Sequence, residues 1–167
     1  VSPDRIAYLA FTNQAADEAK DRAIEQLNYG AKDFMNFRTL HSLAYRELHL
    51  TEDNIMNDND YKNLTKRLGI KLSNPNNNIN KYGAGFPDDV FIQVIDGAKI
   101  RGLTTQEYFK DPKIGHLKDG LKKLKYIDSS LKEYKKIRNK YDMTDMIVDF
   151  NKKHVDYMPK FEVVIVD

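Results

Sequence analysis

Phe11, Thr12 and Asn13 stand where an apolar run gives way to a helix-forming segment. A helix start leaves several backbone N–H groups without acceptors. Thr12 or Asn13 can cap them, and the same groups attract an anion such as a phosphate. An aromatic ring beside a phosphate site can stack on a base, which contributes about 1–3 kcal/mol per base. A contact with a single-stranded nucleic acid is therefore one interpretation of the triplet. Spacing alone favours the alternative, an ordinary capped helix with Phe11 in the hydrophobic core.

A second junction repeats this arrangement. Arg38 ends a predicted strand, and Thr39, His41 and Ser42 fall in the first turn of the next helix. In open α/β sheets, ligands bind at the carboxyl ends of the strands. A hydroxyl, an imidazole and free N–H groups are therefore expected to face outward from the same sheet edge as Phe11. Taken alone, this segment is more typical of a helix cap than of a binding site.

The last residue, Asp167, follows four β-forming residues. This pattern matches a Walker B strand, whose acid holds Mg²⁺ against nucleotide phosphates. Many strands end in Asp, so the pattern alone is a weak indicator. It also implies a phosphate loop of the type G-x-x-x-x-G-K-[ST], and the 167 residues contain none.

A long helix predicted over residues 117–140 combines an apolar face with basic ones. The apolar positions are Leu121, Leu124, Ile127, Leu131, Tyr134 and Tyr141. The other faces carry Lys122, Lys123, Lys125, Lys132, Lys135, Lys136 and Arg138. A solvated surface and a surface that follows a phosphate backbone explain this pattern equally well.

Other polar residues give weaker indications. The four histidines have no metal-ligand spacing with each other or with the acids, so no zinc or iron site is predicted. Asp142, Asp145 and Asp149 share one helical side. A solvated or capping role is favoured for these three over paired catalytic carboxylates.

The elements that must position these residues alternate between strand and helix. Residues 6–11 predict a buried strand, 14–29 a helix stopped by Gly30, 34–38 a second strand and 39–48 a second helix. This β-α-β-α order is typical of a parallel sheet covered by helices.

The middle of the chain is different. Only helical pieces are predicted there, near residues 60–68, 88–100 and 117–140, with an Asn/Gly-rich loop at 73–85. A helix at 144–154, a turn at 157–159 and the strand before Asp167 then restore the α/β pattern. The fold class predicted is α/β with an inserted, mainly helical subdomain.

Charge and composition limit the possible classes. The net charge is only +2, but residues 1–60 carry 6 Lys/Arg against 11 Asp/Glu, and residues 98–140 carry 13 against 5. This asymmetry indicates an anionic partner. The absence of cysteine excludes a disulfide framework and cysteine-ligated zinc, and fits a reducing, cytoplasmic compartment. No segment approaches the roughly 20 apolar residues of a membrane span.

Four segments in order resemble the first motor domain of superfamily 1 DNA helicases of the UvrD/Rep/PcrA kind. They are "AFTNQAADEAKDR", "FRTLHSLAYREL", "YDMTDMI" and "FEVVIVD". The helical insertion lies between the second and third, where that family carries its 1B subdomain. The resemblance implies an incomplete P-loop NTPase (RecA-like) sheet, with residues 1–50 and 141–167 in the motor core (1A) and 51–140 in a 1B-like insertion.

The resemblance also implies roles for individual residues. Phe11, Thr12, Asn13, Thr39, His41 and Ser42 would line the path of single-stranded DNA, and Asp167 would bind Mg²⁺ beside ATP. The implied activity is ATP-driven movement on single-stranded DNA and unwinding at single/double-strand junctions, in DNA repair, recombination or replication. Gln14 stands where the family usually has Lys or Arg, so a basic contact there is in doubt; Ala10, Leu40 and Met143 also depart from the pattern.

Several alternatives stay open at this stage. Because the chain starts at Val1 and stops after an apolar strand, it is expected to be a fragment that hydrolyses no ATP by itself, since the phosphate loop, the catalytic Glu and the second motor domain are missing. The parent could be a helicase–nuclease of the RecB or AddA type. A non-catalytic nucleic-acid-binding module is the alternative from another class.

Overall fold

The computed structural model of the protein describes residues 1–74, 88–111, 114, 120–154 and 161–167. The chain forms two compact units. Unit 1 comprises Val1–Leu50 and Met146–Asp167, and unit 2 comprises Thr51–Asp145.

The described residues contain three strands and seven α-helices, with short 3-10 helices at Pro3–Arg5 and Glu52–Asn54. In chain order they are β1 (Ile6–Ala10), α1 (Asn13–Leu27), β2 (Phe37–Thr39), α2 (Leu40–Glu47), α3 (Asp58–Leu68), α4 (Asp89–Ile100), α5 (Thr105–Tyr108), α6 (Gly120–Arg138), α7 (Met143–His154) and β3 (Val163–Val166). Helix α7 begins in unit 2 and continues into unit 1.

The three strands form one parallel sheet in the order β2-β1-β3. Tyr8 is level with Phe37 on one side and with Ile165 on the other. Because all strands run in one direction, their carboxyl ends meet at a single edge, which we call the strand-end edge. The predicted α/β class with a parallel sheet is confirmed.

Helix α1 ends earlier than predicted. Thr12 caps its start, because the Thr12 Oγ1 accepts a hydrogen bond from the Ala15 N–H at 3.2 Å. The helix stops at Leu27, and Asn28 takes the left-handed conformation with φ 55°. Asparagine tolerates this conformation better than most residues do. The stop therefore lies at Asn28, two residues before the predicted stop at Gly30.

Strand β2 is shorter than predicted and shifted along the chain. Residues 31–36 form a turn, and β2 covers only Phe37–Thr39. Asn36 is buried, and its side chain donates to the Asp4 carbonyl at 2.9 Å and accepts from Arg46 Nη2 at 3.0 Å. These side-chain bonds hold the turn that replaces the first half of the predicted strand.

The buried apolar side chains of unit 1 are four alanines and several larger residues, among them Met146 and Phe150 of α7. Ala7 and Ala10 of β1, Ala16 of α1 and Ala44 of α2 are buried together with Phe34 and Leu43. By contrast, the four residues of β3 are 37–77% exposed. Parallel strands are usually covered on both faces, so β3 differs from the expectation for such a strand.

Unit 2 has a larger apolar core between its helices. The core comprises Met56, Tyr61, Leu64, Leu68, Ile70, Leu72, Phe91, Ile92, Val94, Ile95, Leu124, Ile127, Leu131 and Tyr134. The predicted apolar face of the long helix is therefore confirmed for its buried members on α6. The loop predicted at 73–85 falls largely outside the described residues, and the turn predicted at 157–159 lies wholly outside them.

No helix in the described part of the chain is both long enough and apolar enough to cross a bilayer.

Candidate functional site

The first strand-to-helix junction presents its aromatic residue to solvent. Phe11 follows β1 directly and is 93% exposed. The alternative that placed Phe11 in the hydrophobic core is therefore wrong. Thr12 and Asn13 are also exposed. Thr12 Oγ1 accepts the hydrogen bond from the Ala15 N–H. The N–H groups that precede Ala15 in α1 have no acceptor within the helix.

The second junction lies beside the first. Ala10 of β1 is level with Thr39 of β2, so the helices that follow the two strands both start at the strand-end edge. Thr39 caps α2, since its Oγ1 accepts from the Ser42 N–H at 3.2 Å. Thr39 is buried, so the expectation that its hydroxyl faces outward was wrong: the hydroxyl is held by the cap.

The other polar residues of the second junction remain accessible. His41 is exposed and Ser42 is half-buried. Neighbouring protein atoms partly desolvate the imidazole, and this lowers the pKa of His41 below its ordinary value of 6.5. His41 is therefore neutral at pH 7. The Arg38 side chain folds back, because its guanidinium donates to the Met35 carbonyl from both Nε, at 2.8 Å, and Nη2.

The end of β3 brings the predicted acid to the same edge. The Asp167 N–H donates to the Leu9 carbonyl at 3.0 Å and continues the pairing of β3 with β1. The Tyr8 hydroxyl donates to Asp167 Oδ2 at 2.8 Å. This hydrogen bond is the main cause that raises the pKa of Tyr8. Sequence analysis missed the contact, which joins residues 159 positions apart.

A single exposed carboxylate suits Mg²⁺ better than a cation that needs a protein cage. Mg²⁺ prefers oxygen ligands and usually keeps several waters, with one or two carboxylates and phosphates completing its shell. Asp167 is exposed and could supply such an oxygen. Within the described ranges, no group of three or more His, Cys, Asp or Glu side chains could hold a metal ion.

Unit 2 contains a cluster of buried and half-buried charges, which we call the lysine–aspartate cluster. Lys99 Nζ lies 2.8 Å from Asp145 Oδ1 and 3.3 Å from Asp142 Oδ2. Lys135 Nζ lies 2.6 Å from Asp145 Oδ2 and also contacts Asp142 Oδ2. Lys135 is only 7% exposed, so neither of the two interpretations of the basic faces, a solvated surface or one that follows a phosphate backbone, holds for this residue.

The cluster also settles the role of the two acids at the start of α7. Asp142 is buried, and its Oδ1 accepts from the Asp145 N–H at 2.7 Å. The predicted solvated or capping role is confirmed for Asp142 as a capping role. The spacing of the acids placed them on one side of the helix, but no sequence signal identified the two lysines as partners.

A third carboxylate gives the cluster an excess of negative charge. Asp96 Oδ1 lies 3.6 Å from Lys99 Nζ, beyond hydrogen-bond distance, and has no hydrogen-bond partner among the described residues. Burial, followed by the charge of Asp142, raises the pKa of Asp96 to about 6. The two lysines have the opposite effect on Asp145: although burial opposes it, they hold the pKa of Asp145 at about 2.

The comparisons with known proteins agree with this arrangement of strands and helices. The model of the family described as "UvrD/REP helicase N-terminal domain" matches residues 1–167. No curated protein sequence matches the chain significantly. The parallel sheet with its helix starts at one edge defines an incomplete P-loop NTPase-like α/β protein. The chain belongs to the UvrD/REP helicase N-terminal domain family.

Proposed function

We propose that the chain is part of an ATP-dependent DNA helicase that couples ATP hydrolysis to movement on single-stranded DNA and to duplex unwinding. Membership of the helicase family supports the class. The observation that carries the DNA-binding role is the 93% exposure of Phe11 beside two adjacent helix starts. Phe11 is the most exposed large apolar side chain in the described part of the chain, and its ring is accessible for stacking on a base.

At the strand-end edge, each residue has a role that its surroundings permit. The Phe11 ring is available to stack on a base, and the exposed Thr12 and Asn13 lie at a helix start that favours a phosphate. His41, as a neutral imidazole, contributes hydrogen bonds rather than charge. Thr39 positions Ser42 through the cap instead of contacting DNA itself. Contacts of this kind hold a strand largely without reading its sequence.

In this proposal unit 1 belongs to the motor core and unit 2 is the inserted subdomain. Asp167 is the residue that holds Mg²⁺, and Mg²⁺ when bound neutralises charge on the nucleotide phosphates. The 167 residues contain no phosphate-loop sequence, so ATP hydrolysis by this chain alone is not expected. The partners proposed are single-stranded DNA and single/double-strand junctions, and the pathways are repair, recombination or replication.

The test is a titration of a dye-labelled oligothymidine with the protein, followed by fluorescence anisotropy at several salt concentrations. Phe11→Ala is expected to weaken binding by about 1–3 kcal/mol, the typical value of one stacked base. Leu27→Ala is the matched control, because Leu27 is another exposed apolar residue, at the opposite end of α1. Equal affinities for Phe11→Ala and Leu27→Ala would contradict the proposal, as would binding that does not depend on salt.

A further inference from the structure

Tyr8 lies in the central strand, between β2, which precedes the second helix start, and β3, which precedes Asp167. It is the third residue of β1 and is level with Phe37 of β2 and Ile165 of β3. Residues that are level in neighbouring strands project to the same face of a sheet, and so do residues two positions apart in one strand. Tyr8, Phe37, Ile165 and Asp167 therefore share one face, and the Tyr8 hydroxyl reaches Asp167 Oδ2 at 2.8 Å.

The Tyr8 ring is fixed by an aromatic stack. Its centroid lies 5.3 Å from that of Phe37, with 15° between the planes. Phe37 in turn meets Phe34 edge-on at 5.1 Å and 77°, and Phe34 is completely buried. Offset-stacked and edge-on rings are favourable arrangements. The stack therefore holds the hydroxyl at a defined place. Because the ring is already restricted, the hydrogen bond to Asp167 costs less side-chain conformational entropy.

We propose that Tyr8 is a positioning residue for the Asp167 carboxylate. Its hydroxyl donates a hydrogen bond to Oδ2 and so leaves Oδ1 to face a bound divalent cation. Carboxylates that bind metals are themselves oriented by hydrogen bonds, and the loss of such a partner typically lowers metal affinity about 10–100-fold. The inference rests on the proposed role of Asp167 as the Mg²⁺-binding acid.

The same contacts connect two parts of the edge. From Asp167, the hydrogen bond leads to Tyr8, and the stack leads from Tyr8 to Phe37, two residues before the Thr39 cap of α2. Tyr8 thus joins the proposed cation-binding end of β3 to the strand whose end starts the second proposed DNA-binding helix. A tyrosine that served only for packing would need its ring alone. Its hydroxyl is the part of the side chain that the proposal assigns a separate role.

The experiment removes that hydroxyl and leaves the ring. Mn²⁺ alone serves as the probe, and free Mn²⁺ is measured by electron paramagnetic resonance. The proteins compared are the unsubstituted chain and the variants Tyr8→Phe, Tyr45→Phe and Asp167→Asn. Tyr45 is a matched control, because it is a half-buried tyrosine of α2 in the same unit. We expect Asp167→Asn to abolish the site, Tyr8→Phe to weaken Mn²⁺ binding about tenfold, and Tyr45→Phe to leave it unchanged.

The outcomes separate the inference from the function on which it rests. If Asp167→Asn leaves Mn²⁺ binding unchanged, the metal-binding role of Asp167 is wrong. If Asp167→Asn abolishes binding and Tyr8→Phe binds like the parent, Asp167 keeps its role and the positioning role of Tyr8 is overturned. A second readout is the ¹³C chemical shift of the Asp167 carboxyl without metal. It should change in Tyr8→Phe and not in Tyr45→Phe, and an unchanged shift would likewise overturn the proposal.

Discussion

Lys99 of α4 donates to Asp145 of α7, with 2.8 Å between Nζ and Oδ1, and the two residues are 46 positions apart. Lys135 of α6 contacts the other oxygen of the same carboxylate at 2.6 Å. Residues of α4, α6 and α7 therefore meet at one half-buried carboxyl group. Breaking a buried ion pair on one side costs more than the pair contributes, because the remaining charge is left uncompensated.

Replacement of Lys135 by an uncharged residue of similar length should strongly destabilise the protein. We expect Lys135→Met to lower the free energy of unfolding by about 3–5 kcal/mol, since Asp142 and Asp145 lose a buried partner. Urea denaturation measures the change. Lys136→Met is the control, because Lys136 is exposed on the same helix and substitutions at such surfaces usually stay within about 0.5 kcal/mol. Equal effects at the two positions would show that the cluster is not buried in solution.

Asp96 should make the stability of the protein depend on pH in an unusual direction. Its pKa is about 6 in the folded protein against an ordinary value of 3.8, so the folded state binds the proton more tightly than the unfolded state. The contribution of Asp96 to stability is therefore largest below about pH 4 and is lost as the pH rises to about 6.

The substitution Asp96→Asn removes this titration. We expect the variant to be more stable than the parent at pH 8 by about 1–3 kcal/mol, given about 1.4 kcal/mol per unit of pKa, with no such gain near pH 4. Urea denaturation at both pH values measures the difference. Work below pH 4 is avoided, because there the protonation of Asp145, whose pKa is about 2, lowers stability instead. An Asp96→Asn gain that is the same at both pH values would contradict the prediction.

Alanine substitutions of Phe34 and Phe11, which differ strongly in exposure, should have very different effects on the stability of the protein. Phe34 is completely buried and Phe11 is 93% exposed. We expect Phe34→Ala to lower the free energy of unfolding by about 3–5 kcal/mol through the cavity that it leaves. Phe11→Ala should change it by no more than about 0.5 kcal/mol. Thermal melts of both variants test this, and a large loss for Phe11→Ala would return that residue to the core.

The hydroxyl of Thr39 should stabilise the protein through its cap. Thr39→Ala is expected to lower the free energy of unfolding by about 0.5–2 kcal/mol, because the Ser42 N–H loses its acceptor. Thr39→Ser keeps the hydroxyl and should retain most of the stability. The comparison is made by thermal unfolding without DNA. If serine and alanine destabilise equally, the cap contributes little.

Sequence patterns predicted the strand-to-helix junctions because each depends on neighbours in the chain. Thr12 and Thr39 are capping residue types at the ends of apolar runs, and both do cap helices. The end of α1 was predicted two residues too late, because both Asn28 and Gly30 are residue types that can end a helix. The turn at Asn36 was predicted as a strand for another reason. The hydrogen bonds of Asn36 reach Asp4 and Arg46, and only the folded chain brings these residues together.

The least predictable contacts are those between distant polar residues. Lys135 repeats at the spacing of the solvated lysines of α6, and only the position of Asp142 and Asp145 makes it a buried partner. The pairing of Tyr8 with Asp167 depends on the register of β1 with β3. A single sequence carries no record of that register.

The exposed strand β3 has a consequence for handling the protein in solution. Within the part of the chain that the structure describes, β3 lies at the outer side of the sheet, and its four apolar residues are 37–77% exposed. A strand of this kind offers a row of backbone donors and acceptors to any other extended chain. At high concentration, molecules are therefore expected to add to one another through β3. A lysine at Val166, the most exposed of the four residues, should suppress such aggregation.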